Sequence, residues 1–169
     1  MPFGRNYGGV ATPRSSGSAD APNAIRSVTD ASGNVGWQVR LFKPSGAALS
    51  VGQTLRVAYV GAVSGNPQVA AVASGTATFD RLVVASAATA SGTWDWYYFE
   101  GYCKILVEGT TDVASADFLK SVAGTSTTAL IKDGSTRSAN SFAIAIDGQT
   151  ANSEVLTLCY LLGDQATCV

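Results

Sequence analysis

The chain contains no histidine. That absence excludes Ser-His and Cys-His nucleophile pairs and every imidazole metal site. Charged residues amount to only 14%, well below the roughly 25% of an average domain. A surface so poor in charge is expected to be covered in part by neighbouring molecules. No stretch approaches the ~20 apolar residues of a membrane-spanning helix, so no membrane partner is expected. The opening Met1-Pro2-Phe3-Gly4-Arg5-Asn6 lacks the apolar run of a secretion signal, which predicts synthesis in the cytoplasm. Methionine appears once and cysteine three times. Cys103, Cys159 and Cys168 form no metal or redox spacing. Cys103 and Cys159 sit in apolar, strand-like surroundings and read as small buried hydrophobes, with a disulfide as the alternative.

The remaining candidates for chemistry fall one by one. Asp95 and Glu100 are the nearest paired carboxylates, but odd spacing on a strand places them on opposite faces. Asp112 and Asp117 flank a turn and are explained by turn chemistry. Lys104, the one Schiff-base candidate, reads as part of a solvated strand face. Neither the segment from Gly4 to Gly9 nor Gly33-Asn34-Val35-Gly36 carries the Lys-Ser/Thr ending of a phosphate loop. The reading is a protein that is not an enzyme, with no catalytic residue, metal or cofactor.

What the chain does have is Ala, Val, Gly, Ser and Thr, within an apolar fraction of 46%. Such small and β-branched residues favour strands and tight turns. Its 169 residues fit one domain, or two small ones, and can bury roughly 70% of the unfolded surface. Charge is unevenly spread. Residues 1–60 hold six bases and two acids, a net +4, whereas residues 61–169 hold five bases and ten acids, a net −5. Chance scatter is one reading; the other is head-to-tail complementarity between subunits. The bases are too sparse for a nucleic-acid footprint.

Residues 1–33 hold Pro2, Pro13 and Pro22 among many Gly, Ser and Ala, and cannot fold alone. They are expected to form an extended N-terminal arm before a β-domain at 34–169. Alternation of apolar and polar residues predicts strands at 37–42, 55–60, 69–73, 79–84, 94–100, 102–108, 141–146 and 154–162. Polar residues 115–117 turn into Phe118-Leu119, and residues 85–90 suit a short helix or a loop. Asp133-Gly134-Ser135 and Asp147-Gly148 mark tight turns. The count of eight to ten short strands predicts an all-β antiparallel barrel or sandwich. Ala31-Ser32-Gly33 precedes Trp37 as Ala90-Ser91-Gly92 precedes Trp96. That echo leaves open two matched β units, 34–84 and 90–169, or coincidence.

The most distinctive strand is Trp94-Asp95-Trp96-Tyr97-Tyr98-Phe99-Glu100. Trp94, Trp96 and Tyr98 share one face, and Asp95, Tyr97 and Phe99 the other. Aromatic residues on both faces suit core or subunit-interface packing better than an exposed sugar platform. Trp37, Trp94, Trp96 and Tyr98 are therefore the candidates for packing or a subunit interface.

The stretch from Ala90 through Trp94, Trp96 and Tyr102 to Val107 is followed by Val113-Ala114-Ser115-Ala116-Asp117-Phe118-Leu119. With Ala143-Ile144-Ala145-Ile146 and Val155-Leu156-Thr157-Leu158 it resembles the small capsid decoration, or cement, proteins of tailed bacteriophages. The opening Phe3-Gly4-Arg5-Asn6-Tyr7 is similar to phage head proteins that lie along the shell. The resemblance covers about half of the chain, and none of its motifs is catalytic. It implies a structural virion protein on the outer capsid surface that binds the major capsid protein and itself, as a trimer or dimer. It also implies capsid contact by the arm through Phe3, Arg5, Tyr7 and Arg14. The alternatives are a tail, baseplate or fibre component, or a carbohydrate-binding module.

Overall fold

A computed structural model describes residues 24–43, 48–58, 68–71, 82–90, 92–109, 111–121, 129–138, 141–150 and 153–163. All regular structure among them is β. Ten strands run β1 (Ile25–Thr29), β2 (Val35–Lys43), β3 (Thr54–Ala58), β4 (Gln68–Ala71), β5 (Leu82–Ala85), β6 (Thr93–Val107), β7 (Phe118–Lys120), β8 (Ile131–Gly134), β9 (Ser141–Ala145) and β10 (Val155–Leu161). They form one sheet in the order β1-β2-β4-β3-β5-β6-β10-β9-β7-β8. Pairing between these strands is antiparallel except where Phe42 of β2 meets Gln68 of β4.

The first hairpin shows how local chemistry starts the fold. Asp30 accepts hydrogen bonds from the Ser32 N–H at 2.8 Å and from the backbone and side-chain N–H groups of Asn34, each at 2.9 Å. Gly33 takes a φ of +85°, which costs glycine little. The turn returns the chain so that Ile25 opposes Val39 and Thr29 opposes Val35. Residues 25–29, which composition places in the arm, therefore belong to the sheet. Residues 1–23 of the expected arm, with Phe3, Arg5, Tyr7 and Arg14, lie outside the described residues.

β6 organises the molecule. At 15 residues it spans about 50 Å at ~3.3 Å per residue. One edge pairs with β2 over positions 93 to 101. The other pairs with β5 at Tyr97 and Tyr98, and then with β10 from Gly101 to Val107. The sequence reads as two strands interrupted at Gly101, but the structure makes one. Gly101 has a φ of +84°, and a Cβ there would lie 2.5 Å from the Val35 carbonyl oxygen. Next to it, Trp37 opposes Glu100 while Gln38 opposes Tyr98, leaving Phe99 as the extra residue of a β-bulge. A bend without a break lets one strand serve both halves.

Two cores result. The first gathers Val39, Leu41, Leu49, Leu55, Val57, Val83, Ala85 and Tyr97. The second gathers Leu82, Val84, Cys103, Ile105, Val107, Leu119, Leu130, Phe142, Cys159 and Leu161, among others. β5 supplies both, Val83 and Ala85 to one and Leu82 and Val84 to the other, and all four residues are buried. A boundary between 84 and 90 therefore does not separate the cores. The extra β6–β2 pairing turns the first half of the sheet back on itself. A parallel bridge from Leu130 to Val107 does the same for the second half. The sheet curls in both halves without closing as one barrel.

Of the two forms open to residues 85–90 the structure has the loop: Ala85 ends β5, and bends lead to a bridge from Thr89 to Leu49. One local expectation changes. Asp133-Gly134 lies within β8 and not in a tight turn. Phe118 opposes Gly134 and Leu119 opposes Lys132, so Asp133 is the extra residue of a second bulge.

Candidate functional site

Alternation and register assemble one distinctive face on the outer side of β1, β2 and β6. Gln38, Arg40 and Phe42 point away from the core residues Val39 and Leu41. Their partners on β6 are Tyr98, Trp96 and Trp94 respectively. β1 adds Arg26, which opposes Gln38. The side chains interlock diagonally. Arg26 Nε donates to Gln38 Oε1 at 2.7 Å, and its guanidinium lies 4.0 Å from the Trp96 ring centroid. The Arg40 guanidinium lies 5.8 Å from the Trp94 ring. The Phe42 and Trp94 rings are 5.4 Å apart and tilted by 54°. Each cation–π contact contributes about 0.5–2 kcal/mol according to its exposure.

The other side of β6 is interior. Tyr97 is fully buried, and burial pushes its phenol up to about 12. Asp95 accepts from Thr89 Oγ1 at 2.6 Å and from the Trp96 N–H at 2.7 Å, which gives it a structural occupation. Tyr98 is half-buried and packs on the second core. Burial raises its phenol pKa, and its bond with Gln38 works the other way. Its ring lies over Gly36, where a Cβ would be only 2.8 Å from the ring edge.

Of the four packing candidates, Trp94, Trp96 and Tyr98 are brought together and Trp37 is not. By alternation Trp37 sits on the opposite side of β2, with Val35. It is 38% exposed and Val35 40%, beyond the reach of the first core. Trp94 and Trp96 are partly covered, in contrast to Tyr97. Strand reading alone missed Arg26, Arg40 and Phe42 as their companions. The polar position of Arg40 in the alternation was a usable signal; nothing in the sequence indicated that Arg26 would lie over Trp96.

Asp117, an acidic candidate, and Asp133, read as a turn residue, both have structural partners. Asp117 accepts from the Ala114 N–H at 2.7 Å and pairs with Lys132 at 2.6 Å. Asp133 pairs with Lys120 at 2.8 Å and accepts from Ser141 Oγ at 2.7 Å. Among the described residues, no group of three or more Cys, Asp or Glu side chains is placed to hold a metal. The arrangement on β1, β2 and β6 is suited to recognition: flat rings held rigid by guanidinium groups, in the residue types that carry most energy at protein interfaces. No protein-family model matches the chain, and no curated protein matches it.

Proposed function

We propose that the protein is a non-catalytic structural component of a tailed-phage virion. In this reading it decorates and stabilises the outer surface of the capsid, contacting the major capsid protein through its N-terminal residues and packing against neighbours through the Arg26–Trp96 and Arg40–Trp94 face. The observation that supports the reading is that face. Four half-buried or stacked side chains of interface type stand on the outside of a strand pair that needs none of them for its own core. The low charge content points the same way. Many modest contacts repeated over a shell resist internal pressure through multivalency.

A carbohydrate-binding module fits the same face less well, because the Arg26 guanidinium already covers a face of Trp96. A tail, baseplate or fibre component shares the composition and is the reading to test against.

Co-sedimentation with undecorated heads tests the proposal, using the full chain and a chain lacking residues 1–23. The truncation stops there because residues 25–29 form β1. Saturable binding by the full chain and loss on truncation, with the β signature in circular dichroism retained, is the expected result. Undiminished binding by the truncated protein overturns the role of the N-terminal residues. Failure of the full chain to bind heads overturns the capsid location in favour of the tail.

A further inference from the structure

The opposite end of the molecule carries the complement of the arginine–tryptophan face. The bridge between Val113 and Gln149 is made by two bonds, Val113 N–H to Gln149 O at 3.0 Å and the reverse at 2.8 Å. Gln149 Nε2 also donates to the Glu108 carbonyl at 3.0 Å, and Gly109 lies against the Ser153 backbone. These contacts gather residues 108, 109, 111–113, 147–150, 153 and 154 toward the far end of β6, and with them Glu108, Asp112, Asp147 and Glu154. Asp112, Asp147 and Glu154 are exposed. Lys132, which reaches the Asp112 carbonyl at 3.3 Å, is held by Asp117. Val155 and Leu156, at 42% and 38% exposure, follow on opposite faces of β10, and alternation puts Leu156 on the face of Glu154. This end is apolar and acidic; the face on β1, β2 and β6 is aromatic and basic.

From Trp96 to Glu108 along β6 is up to about 40 Å at ~3.3 Å per residue. One chain cannot bring its own two patches together. We infer that the arginine–tryptophan face is the docking surface for a second copy of this chain, which presents its acidic end formed by Asp147, Glu154 and Leu156. The inference rests on the proposal that this face packs against neighbours, and it names the partner. Charge complementarity sets the register of such a contact and suppresses wrong pairings, while the apolar residues of both patches supply contact area. Two separate patches are satisfied either reciprocally in an antiparallel dimer or head-to-tail around a ring such as a trimer.

Sedimentation equilibrium of the full chain tests this. Wild-type protein is expected to self-associate, more weakly at high salt because the contact is partly ionic. Arg40→Glu, and separately Asp147→Lys with Glu154→Lys, should each raise the dissociation constant by about tenfold or more. An equimolar mixture of the two variants should recover association beyond either variant alone, since one junction is native and the other carries both sets of reversed charges. The lysine substitutions fall on exposed residues outside the strands, so they test the contact even if Arg40→Glu disturbs the face; circular dichroism controls for folding. Self-association unchanged by either reversal, or a chain that stays monomeric throughout, overturns the inference. Head co-sedimentation of the same variants separates the two readings. Monomers that still decorate heads leave the capsid proposal standing and remove this contact. Charge-dependent self-association without head binding does the opposite.

Discussion

Single residues show where the backbone leaves no choice. Gly101 combines a φ of +84° with a carbonyl oxygen 2.5 Å from the place a Cβ would take. Gly101→Ala is expected to cost about 2–4 kcal/mol, the sum of strain and displaced backbone, read as a lower denaturant midpoint. A change under about 0.5 kcal/mol would show that the bend tolerates a side chain. Cys103 and Cys159 oppose each other across β6 and β10, and both are free and buried. Their neighbours explain why. Leu106 gives its N–H to Gly52 and its carbonyl to Leu130, and the Leu158 carbonyl accepts from Ile146. These groups turn away from the β6–β10 ladder, so alternation makes Cys103 and Cys159 a hydrogen-bonded pair, with Cα atoms about 5.5 Å apart. In that pair the Cβ atoms stand wider than the ~3.8 Å typical of a disulfide. Burial pushes the Cys159 thiol up to about 12 and raises Cys103 well above its usual value. Both are expected to resist a thiol reagent in the native state and to react at once in denaturant; rapid native-state labelling of Cys103 or Cys159, told apart from Cys168 by peptide mapping, would count against the packing described.

The two acidic anchors set an acid limit. The Lys132 bond leads in lowering the pKa of Asp117. Burial would raise that of Asp133, but bonds from Lys120, Ser138 and Ser141 outweigh it and the net shift is downward. A folded pKa below the unfolded value of 3.8 means stability that is present above pH ~4 and lost as pH falls through the folded values. Unfolding free energy should therefore decline steeply below pH ~4. In Asp117→Asn the decline should be shallower, from a lower starting point at neutral pH.

At the scale of elements, β5 and β6 belong to both cores, which couples the halves. Val83→Ala opens space in the first core and Val84→Ala in the second. Each is expected to cost about 1–3 kcal/mol and to lower the same single transition. Tryptophan fluorescence, reporting on Trp94 and Trp96, should coincide with far-ultraviolet circular dichroism. Separate transitions would mean that β6 does not transmit order between the halves. The strand readings explain themselves at this scale. β10 is legible because from Thr157 onward one face is buried and the other is not, which is what alternation records, while β9 is legible as a short apolar run buried on both faces. In the sequence β6 looks like two strands because glycine normally weakens a strand; here it permits a bulge. Asp133-Gly134 carries a hairpin signal, yet its surroundings use it for a bulge against β7. β1 was hidden in a stretch rich in Pro, Gly and Ser, since its pairing partner decides that it is a strand at all.

At the scale of the whole molecule, the uneven charge of the chain becomes geometry. Arg26 and Arg40 stand on the face of β1, β2 and β6, and Asp147 and Glu154 at the far end of β6. Salt and charge reversal should therefore act on assembly more than on folding. Arg26→Ala should cost the monomer only about 0.5–2 kcal/mol, the loss of one stacked guanidinium; a larger fall in thermal stability would mark Arg26 as part of the fold's own support.

The sequence by itself determined that this chain builds strands: β-branched residues, period-two alternation and turn residues are local, and their physics needs no distant partner. It also determined that Trp94, Trp96 and Tyr98 share a side. Tertiary structure alone decided that β6 is continuous, that β5 lies between two cores, and that Arg26 covers Trp96. Those facts depend on pairing between residues 12 to 70 positions apart, such as Arg26 with Gln38 and Trp96. Register is chosen by the burial of whole faces together, which no single segment encodes.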